Sequence, residues 1–255
     1  MRLVKNIRQF EPDIQIIIID QENSSKVIWA DVEKYRVTYL TLDKANTSRA
    51  KNRGIQAALG EIVIFFDDDC EVTPDTIKKH LETYSQSKDI VGVAGRVIND
   101  DDTMPSDTVV DTGQTNFLAT KFLMQFWSTK PQSVDFPYGC NMSFKKDVLD
   151  KINGFDERFP KIFEEIDLAK RVRKHGTIKF IPEALAYHHK APSGGTRTHG
   201  VNKDSLVYRY YGFYIVKNVP FPLSLITLLL RTRSAASKKS RVVRDLYSGY
   251  FSYFF

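Results

Sequence analysis

Apolar residues along this chain fall into short continuous runs separated by amphipathic stretches. Ile16 to Ile19 is β-branched throughout and has no polar alternation, the pattern of a strand covered on both faces of a parallel sheet, and it stops at Asp20. Ile62 to Phe66 is a second such run and stops at Asp67, Asp68 and Asp69. Between them the pattern predicts a helix over 47–59, with Thr47 or Ser48 as N-cap, a small-residue face of Ala50, Gly54, Ala57 and Ala58, and Gly60 as its stop. Thr73-Pro74-Asp75 opens another helix, in which Ile77, Leu81 and Tyr84 recur at helical spacing to about Ser87. Ile90 to Ile98 and Asn141 to Phe144 continue the series, and a helix from Glu164 to His175 is ended by Gly176. Ile178 to Ile181 reads as a strand followed by a turn at Pro182-Glu183, and Met1 to Phe10 reads as a helix. Strands alternating with helices imply an α/β fold with a mostly parallel sheet, whose ligands gather outside the carboxyl ends of the strands.

Composition narrows the class. Among 255 residues, 42% are hydrophobic and 31 are aromatic, enough apolar surface to offset the ordering entropy of a folded domain. Two cysteines, Cys70 and Cys140, exclude a disulfide scaffold and point to a reducing compartment. The net charge of +6 is unevenly placed: residues 191–255 hold 10 Lys+Arg against 2 Asp+Glu, and residues 1–190 hold 27 against 29. The chain therefore divides into a unit over 1–190 and a basic, aromatic extension over 191–255. The extension suits two readings equally: peripheral contact with an anionic membrane, or a helix packed on the rest of the chain. Its longest apolar stretch, Val219 to Leu230, is 12 residues with two prolines inside, short of the ~20 a spanning helix needs. The N-terminus lacks the apolar core of a secretory signal, so the expected location is the cytoplasm or the inner face of the membrane.

Three carboxylates at the end of a buried strand repel one another unless a cation compensates them, which singles out Asp67, Asp68 and Asp69. A hard divalent cation such as Mn2+ or Mg2+ takes carboxylate oxygens together with substrate phosphates. Asp100-Asp101-Asp102 is read instead as a solvated acidic turn. Arg49, Lys51 and Arg53 crowd the first turns of their helix, where cations oppose the macrodipole, and a phosphate neighbour would explain Lys51. Glu164, Glu165 and Asp167 open a helix, where acidic residues gain about 0.3–1 kcal/mol each from the dipole, so a structural role competes with a catalytic one. His188 and His189 admit the same two readings.

The order Asn46-Thr47-Ser48-Arg49-Ala50-Lys51-Asn52-Arg53-Gly54, Ala58-Leu59-Gly60-Glu61-Ile62, Asp67-Asp68-Asp69, Tyr138 to Phe144, Gly154-Phe155-Asp156-Glu157 and Glu164-Glu165-Ile166-Asp167-Leu168 resembles the inverting glycosyltransferases of family 2. The resemblance covers about residues 3 to 217. It implies a GT-A fold, Rossmann-like, with helices flanking the sheet and a helical C-terminal extension. It also implies transfer of a sugar from a nucleotide-diphosphate sugar to a saccharide or lipid-linked acceptor, in cell-surface polysaccharide or glycolipid synthesis, with no nucleic acid involved. By the same resemblance Asp67 and Asp69 form the DxD element, with Asp67 and Asp68 on the donor and Asp69 on the metal. Glu165 stands at the catalytic base, Asp20 at the nucleotide base, Lys51 at the donor and His188 near the metal. Ser193 to Arg197 resembles a loop that closes over substrate. Rival readings are an aspartyl-nucleophile phosphohydrolase and a non-catalytic remnant of the fold.

The chain departs from the family at Asp20-Gln21-Glu22-Asn23-Ser24, where Asp-Asp-Gly-Ser is usual. It departs again at the start: the family begins with an apolar strand before the helix that Met1 to Phe10 resembles. Strand Ile16 to Ile19 is then expected to want a central neighbour, supplied by a segment upstream, the favoured reading, or by a segment elsewhere; failing both, the chain is expected to be a poorly stable fragment with little activity.

Overall fold

The computed structural model describes residues 1–21, 29–102, 108–190, 203–238 and 240–254. The first helix is α1 (Arg2–Phe10), followed by β1 (Ile16–Gln21), α2 (Trp29–Lys34), β2 (Val37–Leu42), α3 (Thr47–Ala57) and β3 (Ile62–Phe66). Next come β4 (Cys70–Val72), α4 (Thr76–Tyr84), β5 (Ile90–Asn99), β6 (Gln132–Val134), β7 (Asn141–Lys145), α5 (Lys146–Lys151), α6 (Glu164–Val172) and β8 (Thr177–His188). Three helices close the chain: α7 (Lys203–Asn218), α8 (Leu223–Ala236) and α9 (Ser240–Phe251).

The strands form two sheets. β1 and β2 pair in parallel, Ile16 opposite Val37. The larger sheet has the order β3-β7-β5-β8-β4, with β6 also on β8. Within it β5 and β8 are parallel, and β7 runs antiparallel to both β3 and β5. Among the described residues β1 pairs with β2 alone and β3 with β7 alone. Side chains, not a ladder, join the sheets: Val4 and Ile7 of α1 share a buried cluster with Ile16 and Val37 of the small sheet, Val72 of β4 and Ile77 of α4. The Asn6 side chain accepts a hydrogen bond from the Val72 amide at 2.8 Å, fixing α1 to the edge of the larger sheet.

Three local expectations change. α4 begins at Thr76 after a turn at Pro74-Asp75, so Thr73 and Pro74 stand outside the helix they were expected to open. α3 is capped by Asn46, whose extended backbone (φ −162°) lets its side chain accept from the Arg49 amide at 3.0 Å. Ser48 lies inside the helix because its hydroxyl, fully buried, donates to the Phe159 carbonyl. Pro182-Glu183 is not a turn, since β8 runs straight through it. Gly95 faces Ile181 and the next residue, Arg96, faces Leu185, so residues 182–184 are accommodated as a break in register. Proline has no amide hydrogen for the ladder. The Asn141 side chain fills the break by donating to the carbonyls of Arg96 (2.9 Å) and Ala184 (2.8 Å).

The buried residues of α7, α8 and α9 belong to the same core cluster as the larger sheet. Tyr211 and Tyr214 of α7 stack on Phe163 with centroids 5.4 and 5.3 Å away. α7 and α9 approach so closely that only glycine fits. A Cβ on Gly249 would fall 1.7 Å from the Arg209 carbonyl oxygen, and one on Gly212 would fall 2.0 Å from that of Leu246. No described helix is long and apolar enough to cross a membrane. Gly249→Ala should therefore push the two helices apart and lower the unfolding free energy by about 1–3 kcal/mol. A urea titration reads this as an earlier midpoint, and an unchanged midpoint would show that the pair can slide.

Candidate active site

β3 ends at Phe66, which is paired with Asn141, and the next three residues form the acidic turn. The Cys70 amide closes the turn onto the Asp67 carbonyl at 3.1 Å, and β4 then runs antiparallel to β8 with Cys70 opposite His188. The His189 amide donates to the Asp69 carbonyl at 2.9 Å, so the end of β8 is tied to the same turn. His188 Nε2 thereby comes within 3.1 Å of Asp69 Oδ1. One ligand atom from each of Asp67, Asp69 and His188 lies within 4.8 Å of the other two. Asp68 stands exposed at the turn.

The imidazole is oriented from behind. Asn99 Nδ2 donates to Asp102 Oδ2 at 2.9 Å, which leaves Asn99 Oδ1 to face His188 Nδ1, also at 2.9 Å. An amide oxygen only accepts, so Nδ1 carries the proton and, in the neutral ring, Nε2 presents its lone pair to the carboxylates. Two acceptors at 3.1 Å need a cation with them, a proton or a metal ion. Two carboxylates and one imidazole nitrogen are a donor set that fits Mn2+ or Mg2+. Asp102 thus does more than decorate a solvated turn. Its neighbours pair with the chain beyond β8, Asp100 with His189 Nδ1 at 2.9 Å and Asp101 with Lys190.

On the other side of the cleft, α3 is fixed to the loop before α6. Asn52 exchanges hydrogen bonds with Phe155, 2.9 Å to its carbonyl and 2.7 Å from its amide, and Arg49 pairs with Glu157 at 3.2 Å. That docking turns Lys51 inward, where Nζ meets Glu164 Oε1 at 3.0 Å with side-chain exposures of 12% and 7%. Burial alone would lower the ammonium pKa, but Glu164, Asp67 and Glu165 together hold it above its ordinary value. Burial raises the Asp67 carboxyl, with Lys51 and His188 opposing and Asp69 and Glu164 adding to the rise. It is crowded by protein yet open to the cleft. Burial, with Glu164 next to it, pushes Glu165 up to about 8 against the pull of Lys51.

The backbone feeds these acids into the cleft at Phe163, which takes a left-handed conformation (φ +69°) held by its stack on Tyr211 and Tyr214. Asp167, one turn on, is fully buried and ion-paired with Arg171 at 3.0 Å and Lys217 at 2.7 Å, so it anchors α6 to α7. A methyl on Gly139 would lie 3.7 Å from Lys51 Nζ and 3.8 Å from Glu165 Cδ, which puts the Tyr138–Cys140 loop across both. Asp20 is buried at the end of β1 and accepts from the Tyr39 hydroxyl, on the smaller sheet. Burial, with Asp20 beside it, pushes that phenol up to about 12. The Ser193–Arg197 loop lies outside the described residues.

The structure thus gathers Lys51, Asp67, Asp69, Glu165 and His188 at one cleft. Sequence reasoning passed over Glu164 as the partner of Lys51, and Asn99 and Asp102 as the pair that orients His188. A separate cleft of about 530 Å³ is lined by Lys44, Arg49, Arg158, Lys161 and Arg209 together with Phe213, away from those acids.

The sequence model described as "Glycosyl transferase family 2" matches residues 2–153. The chain is similar to the glucosyl-dolichyl phosphate glucuronosyltransferase of Haloferax volcanii, 25% identical over 160 residues, which are 58% of this chain and 47% of that protein. It is also similar to an uncharacterized glycosyltransferase of a Nostoc species, 28% identical over 204 residues, 77% of this chain and 59% of that one. The chain therefore spans about half the length of these curated relatives. Among solved structures, that of GalNAc-T7 with UDP, GalNAc and Mn2+ superposes with a TM-score of 0.68 at 15% identity, covering 97% of this chain and 51% of that one.

Asn99→Ala removes the group that orients the imidazole and should weaken Mn2+ binding about 10–100-fold. Electron paramagnetic resonance of free Mn2+ measures this, and unchanged affinity would show that His188 is not a ligand.

Proposed function

This chain belongs to glycosyl transferase family 2 and has the GT-A fold, and we propose that it moves a sugar from a nucleotide-diphosphate sugar to an acceptor hydroxyl with inversion at the anomeric carbon. The observation that carries this reading is the convergence of Asp67, Asp69 and His188 with Glu165 on one cleft. Asp69 and His188 would hold the divalent cation, Mn2+ or Mg2+, and Asp67 and Asp68 would face the donor. When bound, that cation supplies positive charge to the departing diphosphate. Lys51, kept charged by its acidic neighbours, adds a second positive charge on the donor side. Asp20 would receive the nucleotide base. Glu165 takes the acceptor proton as the hydroxyl oxygen attacks, and its raised pKa makes it a stronger base once deprotonated.

A lipid-linked acceptor, in glycolipid or polysaccharide synthesis at the inner membrane face, is the substrate class we favour. The Haloferax relative is named for a dolichyl phosphate substrate. The cleft lined by Lys44, Lys161 and Arg209, with Leu206 and Phe213 beside them, suits a phosphate next to an apolar chain, while Arg49 and Arg158 on its wall are paired with Glu157 and Asp156. α8 presents Leu225, Ile226, Leu229 and Leu230 to solvent, with Phe221 just before the helix and Arg233 in its last turn. An apolar helix face bordered by cations fits the interface of an anionic bilayer.

Glu165→Gln keeps shape and removes the base, so turnover should fall about 10²-fold or more with donor affinity nearly unchanged. In the wild type, kcat/KM should rise with pH and level off above about 8, because the base works only deprotonated. The variant should lose that rise. Wild-type turnover in Glu165→Gln would leave Glu165 only its helix-terminus role, and a well-folded protein that binds no nucleotide diphosphate would favour a remnant.

Membrane contact is tested by co-sedimentation with phosphatidylserine vesicles. Binding should weaken as salt rises, since surface charge is screened over ~8 Å at physiological ionic strength. The double variant Leu225→Ser and Leu229→Ser should abolish it. Equal binding to neutral vesicles, or none at low salt, would refute it.

A further inference from the structure

Behind the acidic turn lie two thiols, which the proposed reaction does not use, beside an imidazole that it does. Cys70 opens β4 directly opposite His188, and Cys140 precedes β7 with its carbonyl 3.5 Å from Cys70 Sγ. Both thiols are sealed from solvent, at 2% and 1% exposure. One ligand atom from each of Cys70, Cys140 and His188 lies within 4.8 Å of the other two. We propose that these three side chains form a site for a thiophilic divalent cation, of the Zn2+ or Cd2+ class, which competes for His188 with the carboxylate cluster of Asp67 and Asp69.

Three arguments carry the assignment. The first is geometric. A triangle with 4.8 Å sides has its centre about 2.8 Å from each corner, against bonds of ~2.3 Å to sulfur and ~2.0–2.1 Å to nitrogen in zinc sites. Movement of at most about 0.5 Å at each sulfur and about 0.7 Å at the nitrogen closes the site. The second is orientation. Asn99, itself held by Asp102, fixes the proton on Nδ1 and leaves Nε2 as the ligand atom, the outer-shell arrangement that metal-binding histidines require. The third is chemical selectivity. Two sulfurs and an imidazole form a soft donor set that prefers zinc to manganese or magnesium, whereas two carboxylates with the same imidazole form a harder one. Binding exchanges the two thiol protons for one dication, so the net charge beside Asp67 and Asp69 does not change.

A single lone pair on Nε2 serves one cation at a time. Loading the thiol site therefore takes the imidazole from the carboxylates, and the two kinds of metal should oppose one another. The thiol site itself stands without the reading of function above, and only its antagonism with Mn2+ rests on that reading.

Co2+ is the probe, because thiolate ligation gives it a near-ultraviolet charge-transfer band that oxygen and nitrogen ligands do not. The whole chain, reduced and free of other metals, should develop this band with one equivalent of Co2+ and lose it on adding one equivalent of Zn2+. Cys70→Ala and Cys140→Ala should each abolish the band, and Asp69→Ala should retain it. Alanine keeps both positions apolar, and circular dichroism checks that each variant folds. In parallel, one equivalent of Zn2+ should be taken up by the thiols and weaken Mn2+ binding at least tenfold more in the wild type than in Cys140→Ala, where only direct competition for the carboxylates remains. The absence of a charge-transfer band in the wild type, or a band that survives both cysteine variants, overturns the site. A zinc-displaceable band with no Mn2+ binding under any condition keeps the thiol site and removes the hard-cation reading. Zn2+ and Mn2+ bound together at full affinity overturns the antagonism.

Discussion

Four carboxylates, those of Asp67, Asp69, Glu164 and Glu165, converge with one ammonium, that of Lys51, and one imidazole, that of His188. Crowded acids in a partly desolvated cleft repel one another, and the structure around them is arranged to deliver the two compensating groups. Lys51 reaches Glu164 only because α3 is bound to the loop before α6 through Asn52, Ser48 and Arg49. Glu164 and Glu165 reach Lys51 only because Phe163 adopts a left-handed backbone that three aromatic rings of the core hold in place, those of Phe122, Tyr211 and Tyr214. The C-terminal helices are thereby part of the cleft's support, through those tyrosines and the Lys217–Asp167 ion pair.

β8 supplies the other compensating group. It is long enough to pair with β6 at one end and β4 at the other while running beside β5 throughout. That places His188 between Cys70 and Asn99, with the acidic turn in front. Pro182 interrupts the ladder midway, and Asn141 repairs the interruption from β7, the strand that also borders β3. The other oxygen-bearing arm of Asn141 accepts from buried His80, whose pKa burial lowers to about 4, so that ring is neutral and locks α4 to the sheet. A chain of polar side chains thus runs from α4 through β7 to the strand that carries His188.

His188 also gives the cleft two chemical faces. Oxygen donors open to solvent lie on one side and buried sulfur donors on the other, with one nitrogen between them. Hard and soft cations are sorted by ligand type more than by site size. An enzyme with this arrangement would respond to the metal composition around it through a single ring.

Much of this was legible in the sequence, because periodicity and strand-end chemistry are local. The runs Ile16 to Ile19 and Ile62 to Phe66 became β1 and β3, and the acids that follow them sit at the strand ends where α/β folds place ligands. The motif order was enough to identify the family. Cap and turn details were less secure. Asn46 displaced Thr47 and Ser48 as the cap because Ser48 had a buried carbonyl to satisfy 111 positions away, and the Pro182 turn dissolved into a strand with neighbours on both sides. What no local pattern could reveal was pairing across the fold: Lys51 with Glu164, 113 positions on, and His188 with Asn99, 89 positions back. Alternation of polar and apolar residues records which face of a segment is buried, so it determined the elements and their acidic ends. Which buried charge meets which depends on the order and register of strands, and only the tertiary structure decided that.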